Sequence, residues 1–234
     1  MAKSEVDGLI IAAKDVYKTY DTGKVQVEAL KGVDLNVKKG EMIAIMGPSG
    51  CGKTTMLNCL SGLDDLTKGK VLIEGQDIHA MKDDRRTEWR ARKMGFIFQN
   101  FNLLPVLTAA ENVELPLLLT GTPLKAARDK AVKALDLVGM KERLAHKPAE
   151  LSGGQQQRVT IARSLVNEPL IVWADEPTGN LDTENSKDVM ELMVKLNKEK
   201  ELTFVIVTHD RGVGKMCGRI VDMKNGKITS ESSN

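Results

Sequence analysis

Cysteine is scarce in this sequence, which limits the kinds of scaffold it can build. The chain contains three cysteines, Cys51, Cys59 and Cys217, with no CxxC pair and no histidines placed near them at metal-ligand spacing. We therefore expect neither a disulfide framework nor a structural zinc site, and the cysteine usage fits a reducing compartment.

Long apolar runs and an excess of charge of one sign are also missing. No uninterrupted apolar stretch reaches the roughly 20 residues that span a bilayer, and the first residues show no cleavable signal pattern. The 34 basic and 32 acidic side chains leave a formal net charge of +2, which is too small to indicate nucleic-acid binding. We expect a cytoplasmic chain without a nucleic-acid partner, held at a membrane only through another protein.

The apolar pattern is typical of an α/β protein. Alternating apolar and polar residues in the first forty positions, with turns at Asp21–Gly23 and Lys38–Gly40, predict short antiparallel strands. Apolar runs at 41–47, 93–99, 169–175 and 202–209 predict buried parallel strands, and residues 69–78 and 219–230 predict hairpins, the second with an Asn225–Gly226 turn. Helical spacing dominates residues 100–150 and recurs at 184–198.

The predicted architecture is a single domain over residues 1–234. A core with a mostly parallel sheet takes about 1–99 and 160–234 and carries an antiparallel β subdomain at its N-terminus, while a helical subdomain at about 100–159 is inserted into it. Within the helical part, Thr108 and Glu111 are spaced for a capping box. Thr122 and Pro123 predict a second helix start, and Gly139 predicts its end.

The stretch AELSGGQQQRVTIARSL (149–165) begins like a helix whose N-terminal backbone is left bare. Ser152 is suited to be the N-cap, and Gln155 can complete a capping box. Gly153 and Gly154 occupy the first turn, although each glycine costs roughly 1 kcal/mol relative to alanine in a helix. Backbone N–H groups at a helix start attract anions, so this stretch predicts an anion site.

A second glycine-rich loop, GPSGCGKT (47–54), fits the phosphate-loop pattern G-x-x-x-x-G-K-[ST] and has the required strand before it and helix after it. Its backbone N–H groups can surround phosphates, Lys53 can reach the β- and γ-phosphates, and the Thr54 hydroxyl can ligate Mg²⁺. We predict a nucleoside triphosphate site with these contacting residues: Gly47, Pro48, Ser49, Gly50, Cys51, Gly52, Lys53, Thr54 and Thr55. Cys51 is expected there as a small residue, not as a nucleophile.

Polar residues follow three of the predicted parallel strands. Asp175 ends LIVWAD and is suited to hold Mg²⁺, and Glu176 can act as general base on an attacking water. Gln99 ends another strand and can ligate the metal or orient water, while His209 can bond a γ-phosphate. Parallel strands present such residues at one edge of the sheet, so the prediction gives Glu176, His209, Lys53 and Gln99 catalytic roles and makes Thr54, Gln99 and Asp175 the metal ligands.

Taken together, the motifs resemble the ATP-binding cassette ATPases over nearly the whole chain. LSGGQ is the most specific of them, since other phosphate-loop families lack it. The elements that recur in the family's order and spacing are GPSGCGKT (47–54), Gln99, LSGGQ (151–155), LIVWADE (170–176), GNLD (179–182) and His209.

The resemblance implies that the chain binds and hydrolyses ATP with Mg²⁺ as a head-to-tail dimer. Each ATP would lie between the phosphate loop of one copy and Ser152, Gly153, Gly154 and Gln155 of the other. Asp182 would belong to a loop that links the two sites, and Tyr20 corresponds to the aromatic that stacks on adenine.

Residues 96–117 and DEPTGNLD (175–182) look most like the branch that serves lipoprotein-releasing and macrolide-exporting transporters and a cell-division pair. That resemblance implies a separate integral membrane subunit. It leaves two roles open, transport-coupled ATPase or non-transport mechanical ATPase, while the long heptad repeats of chromosome-associated cassettes are absent from the sequence.

Five apolar residues in the 99–118 segment allow two interpretations. They either form part of a groove that receives a cytoplasmic helix of the membrane subunit or pack the helical subdomain. The residues are Phe101, Leu103, Leu104, Val106 and Leu107.

Overall fold

The computed structural model describes residues 8–21, 23 and 25–234. Thr22 of the predicted Asp21–Gly23 turn lies outside these ranges, as do residues 1–7, where the sequence shows no signal pattern. Within them the strands are β1 (Leu9–Asp21), β2 (Gln26–Lys38), β3 (Met42–Met46), β4 (Lys68–Ile73), β5 (Gln76–Asp77), β6 (Met94–Phe98), β7 (Ile171–Asp175), β8 (Thr203–Thr208), β9 (Arg219–Lys224) and β10 (Lys227–Ser233).

The helices of the same residues are α1 (Lys53–Ser61), α2 (Asp83–Lys93), α3 (Ala109–Leu119), α4 (Leu124–Leu137), α5 (Gly153–Leu165), α6 (Thr183–Lys200) and α7 (Arg211–Met216), with short 3₁₀ turns at Lys141–Arg143 and Pro148–Glu150. Among them, no helix is long and apolar enough to cross a membrane.

Two sheets confirm the predicted α/β class. The order β2-β1-β4-β5 forms an antiparallel sheet, and the order β10-β9-β3-β8-β7-β6 forms a sheet in which only the β9–β10 pair is antiparallel. The parallel strands are buried on both faces: Ile43 and Ile45 pack with α1 and the antiparallel sheet, whereas Ala44 packs with the helical layer. The carboxyl ends of β3, β6, β7 and β8 therefore meet at one edge between these layers.

The strands β1 and β2 pair as predicted, but each is 13 residues long and not short. Asp15 has a left-handed backbone (φ 53°), and the register with β2 shifts between Ala13 and Val16. This bulge lets β1 continue past the break in its alternation. Opposite it, a Cβ on Gly69 would lie 2.2 Å from the carbonyl oxygen of Asp15, so only glycine fits there.

Helix starts in the helical part follow the capping rules with one exception. Thr108 and Glu111 form the predicted capping box. The prediction for Thr122 and Pro123 is wrong by one position: α4 begins at Leu124 with Pro123 as its N-cap. The Thr122 amide instead bonds the carbonyl of Leu117, closing the turn after α3. Further on, α5 runs without a break through residues 159 and 160, where the sequence suggests a subdomain boundary.

Asn112 holds the segment that joins β6 to α3. Its side chain is 1% exposed, accepts from the Leu104 amide at 2.7 Å, and donates to the carbonyls of Leu104, Leu107 and Thr108 at 2.9–3.1 Å. An irregular segment of backbone is thereby satisfied by one buried amide.

Asn112→Ala should lower the free energy of unfolding by about 2–4 kcal/mol, because it leaves several buried backbone groups unpaired. Urea unfolding followed by circular dichroism measures this loss. The exposed Asn36→Ala is the control and should change stability by no more than about 0.5 kcal/mol. Equal stability of the two variants would contradict this role for Asn112.

Candidate nucleotide site

The carboxyl edge of the parallel sheet opens into a cleft of about 1070 Å³. It brings together predicted residues from five separate parts of the chain: Tyr20, the loop residues Pro48–Thr55, Gln99, Glu176 and His209. The loop is the floor of this cleft, and the other side chains stand around it.

The glycines of the phosphate loop are required by close backbone contacts. A Cβ on Gly47 (φ 153°) would lie 2.2 Å from the carbonyl oxygen of Met223, and one on Gly52 (φ 105°) would lie 2.6 Å from that of Ala29. Gly52 is also the N-cap of α1, so the helix begins at Lys53 with its N–H groups directed at the loop. The arrangement suits an anion held by backbone groups.

Lys53 is 8% exposed and folds back over the loop. Its Nζ donates to the carbonyls of Gly47 at 2.8 Å and Pro48 at 3.0 Å. An ammonium has three hydrogens, so one remains for an oxygen of a ligand while the other two fix its position.

Thr54 and Asp175 meet beside the loop. The Thr54 hydroxyl donates to Asp175 Oδ1 at 3.2 Å. Burial raises the pKa of Asp175, the Thr54 hydrogen bond opposes this, and the Glu176 charge adds to it. A half-buried carboxylate and a neighbouring hydroxyl are suitable oxygen ligands for Mg²⁺ when phosphate oxygens and water complete its coordination shell. No cluster of three or more His, Cys, Asp or Glu in the described ranges could hold a metal by itself.

Glu176 is fixed by its backbone and by both carboxylate oxygens. Its backbone is left-handed (φ 47°), and its amide bonds the Val207 carbonyl at 2.8 Å. The Thr208 hydroxyl donates to Oε2 at 3.1 Å, and His209 Nδ1 lies 2.8 Å from Oε1. A carboxylate only accepts, so Nδ1 carries a proton, and Nε2 can donate to a phosphate oxygen only when the imidazole is charged.

Tyr20 stands at the rim of the cleft with 39% of its surface exposed. Its hydroxyl donates to Asp64 at 2.6 Å, and Lys18 Nζ lies 4.8 Å from the ring centroid and 2.6 Å from Asp64. Burial and the Asp64 hydrogen bond raise the pKa of Tyr20 to about 12. The ring is therefore neutral and fixed in place, a suitable platform for stacking a base.

The LSGGQ residues lie outside this cleft, at the start of α5. Ser152 and Gln155 form the predicted capping box, with Ser152 exposed. The glycines also have a local explanation that sequence reasoning missed. A Cβ on Gly154 would lie 2.3 Å from Asn185 Oδ1, and one on Gly153 would lie 3.3 Å from Leu181.

Asp182 also lies outside the cleft. It is the N-cap of α6: its Oδ1 accepts from the Asn185 amide at 2.8 Å, and its Oδ2 accepts from the Asn185 side chain at 2.7 Å. These hydrogen bonds lower the pKa of Asp182. Through Asn185, the GNLD segment touches the start of α5.

The cleft contains residues that sequence reasoning did not single out: Val27, Glu28, Ala29 and Lys31 of the β2 region and the Asn225–Gly226 turn. The Gly226 amide bonds the Cys51 carbonyl at 2.9 Å, and the Gly226 carbonyl accepts from Lys31 at 2.9 Å. The Asn-Gly pair predicts the turn, but no local sequence pattern predicts that the turn contacts the phosphate loop.

Comparison with known proteins agrees with this geometry. The sequence profile of the family described as ABC transporter matches residues 30–179, so the chain belongs to this family and is an ABC ATPase, a class that binds ATP or ADP.

Similar proteins include an uncharacterised ABC transporter ATP-binding protein of Thermotoga maritima, 52% identical over 92% of this chain and 91% of that one. The lipoprotein-releasing system ATP-binding protein LolD of Legionella pneumophila is 46% identical over 95% and 98%. The macrolide export ATP-binding/permease protein MacB of Syntrophobacter fumaroxidans is 45% identical over 95% of this chain and 32% of its own length. The branch predicted from the sequence is thus confirmed as the LolD and MacB type.

A solved structure gives the same result for the fold. The cassette MJ0796 of Methanocaldococcus jannaschii, described as dimeric, superposes with a TM-score of 0.87 at 46% identity, covering 95% of this chain and 98% of that one. A second dimeric structure of it is described as a post-hydrolysis state bound to ADP and Pi, with the same score.

Asp175→Asn should raise the thermal unfolding temperature of the nucleotide-free chain at neutral pH. The pKa of Asp175 is raised in the folded state, so the ionised carboxylate opposes folding at every pH above that pKa, and the penalty is relieved as the pH falls through it. Differential scanning calorimetry measures the shift, with the exposed Asp129→Asn as control. An unchanged or lower unfolding temperature for Asp175→Asn alone would contradict the argument.

Proposed function

We propose that this chain binds Mg-ATP in the cleft, hydrolyses it as a head-to-tail homodimer, and drives a separate integral membrane subunit at the inner face of the cell membrane. The observation that carries the proposal is the division of the predicted residues. The phosphate loop, Gln99, Glu176 and His209 share one cleft, whereas LSGGQ lies elsewhere on the same chain. A second copy would supply the missing half.

Each residue of the cleft has a role that its contacts support. The loop N–H groups and Lys53 would bind the phosphates, and Tyr20 would stack on adenine. Thr54, Asp175 and Gln99 would hold Mg²⁺, which when bound neutralises charge on the phosphate oxygens. Glu176, held by Thr208 and His209, would take a proton from the attacking water.

Pairing of two copies follows from the charge that hydrolysis develops. The transferred phosphoryl group spreads negative charge over three equatorial oxygens, and a loop on one side cannot surround them all. The bare start of α5, with the Ser152 hydroxyl beside it, offers N–H donors for the remaining side. Asp182, next to it through Asn185, would lie at the same interface. The dimeric structures of the similar cassette MJ0796 support this arrangement.

A groove of about 390 Å³ beside β6 is the proposed docking site for the membrane subunit. Leu115, Pro116, Leu119, Phe98 and Asn102 contribute to its lining, and Leu119 is 77% exposed. The similarity to LolD and to a permease-containing MacB supports a membrane partner. None of the five apolar residues considered from the sequence lines this groove: Leu103 packs against the helical core, while Leu104 and Val106 are exposed.

Glu176→Gln should abolish ATP turnover, retain ATP binding, and make the chain dimerise with Mg-ATP, because the phosphate contacts remain while the base is lost. Multi-angle light scattering with and without Mg-ATP measures the mass. A strict monomer at saturating ATP would refute the dimeric mechanism.

A matched control carries the second change Ser152→Arg in the Glu176→Gln chain. The large cation at the start of α5 should prevent the ATP-dependent dimer without weakening ATP binding to the monomer, since Ser152 lies outside the cleft. Dimerisation that persists would show that LSGGQ does not contribute to the interface.

Leu119→Asp should abolish co-purification of the integral membrane subunit from detergent-solubilised membranes and leave ATP binding intact, because it places a charge in the apolar groove. Leu124→Asp, at a leucine that is 64% exposed and lies outside the groove, is the control and should retain the subunit. Loss of the subunit from both variants, or from neither, would contradict this docking site.

A further inference from the structure

A side chain of α5 holds the backbone of the segment that follows Gln99. Phe101 (φ 59°) and Asn102 (φ 51°) are consecutive left-handed residues, a conformation that needs support from its surroundings. Arg163 provides it: its guanidinium donates to the carbonyls of Phe101 at 2.7 Å and Asn102 at 2.5 Å. The segment that follows Gln99 at the cleft is thereby tied to α5.

The side chain of Gln99 is held from the opposite side by Asn180 of the GNLD segment. Gln99 Nε2 donates to Asn180 Oδ1 at 3.3 Å. Gly179 makes room for this contact, because a Cβ there would lie 2.8 Å from Nε2. The amide nitrogen of Gln99 is therefore directed towards the GNLD segment.

The backbone carbonyl of Gln99 sets the orientation of the Asn180 amide, because a carbonyl can only accept a hydrogen bond. Asn180 Nδ2 donates to the backbone carbonyl of Gln99 at 3.0 Å and to Asn100 Oδ1 at 2.9 Å. A backbone carbonyl can only accept, so the Asn180 nitrogen must face it and the Asn180 oxygen must face Gln99 Nε2. Turning over the Asn180 amide would break both of its bonds to Gln99, and turning over the Gln99 amide would lose the Nε2–Oδ1 bond and bring two amide oxygens together.

We propose that Asn180 is a positioning residue for Gln99, which fixes its amide so that Oε1, and not Nε2, is presented to the cleft. This rests on the proposed function, in which Gln99 is a metal ligand. A cation is bound by the oxygen of an amide and repelled by its N–H groups. Without Asn180 the amide could present either end, and only part of the population would be competent to bind metal.

The test uses the Glu176→Gln chain that also carries Ser152→Arg, which is expected neither to turn ATP over nor to dimerise, so that binding to the monomer is measured without chemistry. Isothermal titration calorimetry gives the ATP affinity with Mg²⁺ and with EDTA. Asn180→Ala should weaken the affinity with Mg²⁺ about twofold if the two orientations of the Gln99 amide become equally populated, and by more if the competent orientation becomes the minor one, and it should leave the affinity in EDTA unchanged. Gly179→Ala, which displaces Nε2 directly, should do the same.

Gln99→Glu distinguishes positioning from a general structural effect. A carboxylate presents oxygen whichever way it is turned, so Asn180→Ala added to Gln99→Glu should cost no further affinity for Mg-ATP. An equal loss in the Gln99 and Gln99→Glu backgrounds, or a loss that persists in EDTA, would overturn the proposal. Asn36→Ala is the surface control, and the melting temperature checks that each variant is folded.

The Gln99→Ala variant separates failure of this inference from failure of the proposed function. If Gln99→Ala weakens Mg-ATP binding and Asn180→Ala does not, the metal role of Gln99 stands and the positioning role is refuted. If Gln99→Ala has no effect on Mg-ATP binding, both the metal role and the positioning role are refuted.

Discussion

Contact of backbone with backbone around the phosphate loop is the constraint on which the rest of the structure depends. Gly47 lies against the carbonyl of Met223 and Gly52 against that of Ala29, so a single added carbon at either position would displace the loop. Two strands that are remote in sequence must therefore be in place before the loop has its shape. The antiparallel sheet and the β9–β10 hairpin hold the phosphate loop in place through these contacts. Helix α1 begins directly after the loop.

Around this loop several residues have an unfavourable environment or an unfavourable backbone conformation. Asp175 is partly buried beside a hydroxyl, Glu176 has a left-handed backbone, and the segment after Gln99 has two left-handed residues in succession. Each departure is held by a neighbour that a different element supplies: Thr54, Thr208 and Arg163. Strained backbone and a desolvated carboxylate thus occur where the chain is expected to meet its ligand, although left-handed residues such as Glu74 and Glu168 also lie away from the cleft.

Sequence patterns predicted most of the fold and the grouping of the site, because apolar runs define parallel strands and the carboxyl ends of such strands meet at one edge. They failed where a contact joins distant segments. The bulge at Asp15, the later start of α4, the Asn185 side chain against Gly154 and the Gly226 turn on the loop each depend on a partner that no local pattern reveals. The individual roles of the site residues remain predictions.

The contact between Gly226 and Cys51 has a consequence for the order in which the chain can mature during synthesis. The ribosome completes the loop and α1 early, but the turn that bonds the Cys51 carbonyl, and the strand whose Met223 carbonyl packs on Gly47, emerge long afterwards. A nascent chain that has only its first half lacks both of these contacts. The surroundings of the phosphate loop are therefore complete only after translation has passed the turn between β9 and β10.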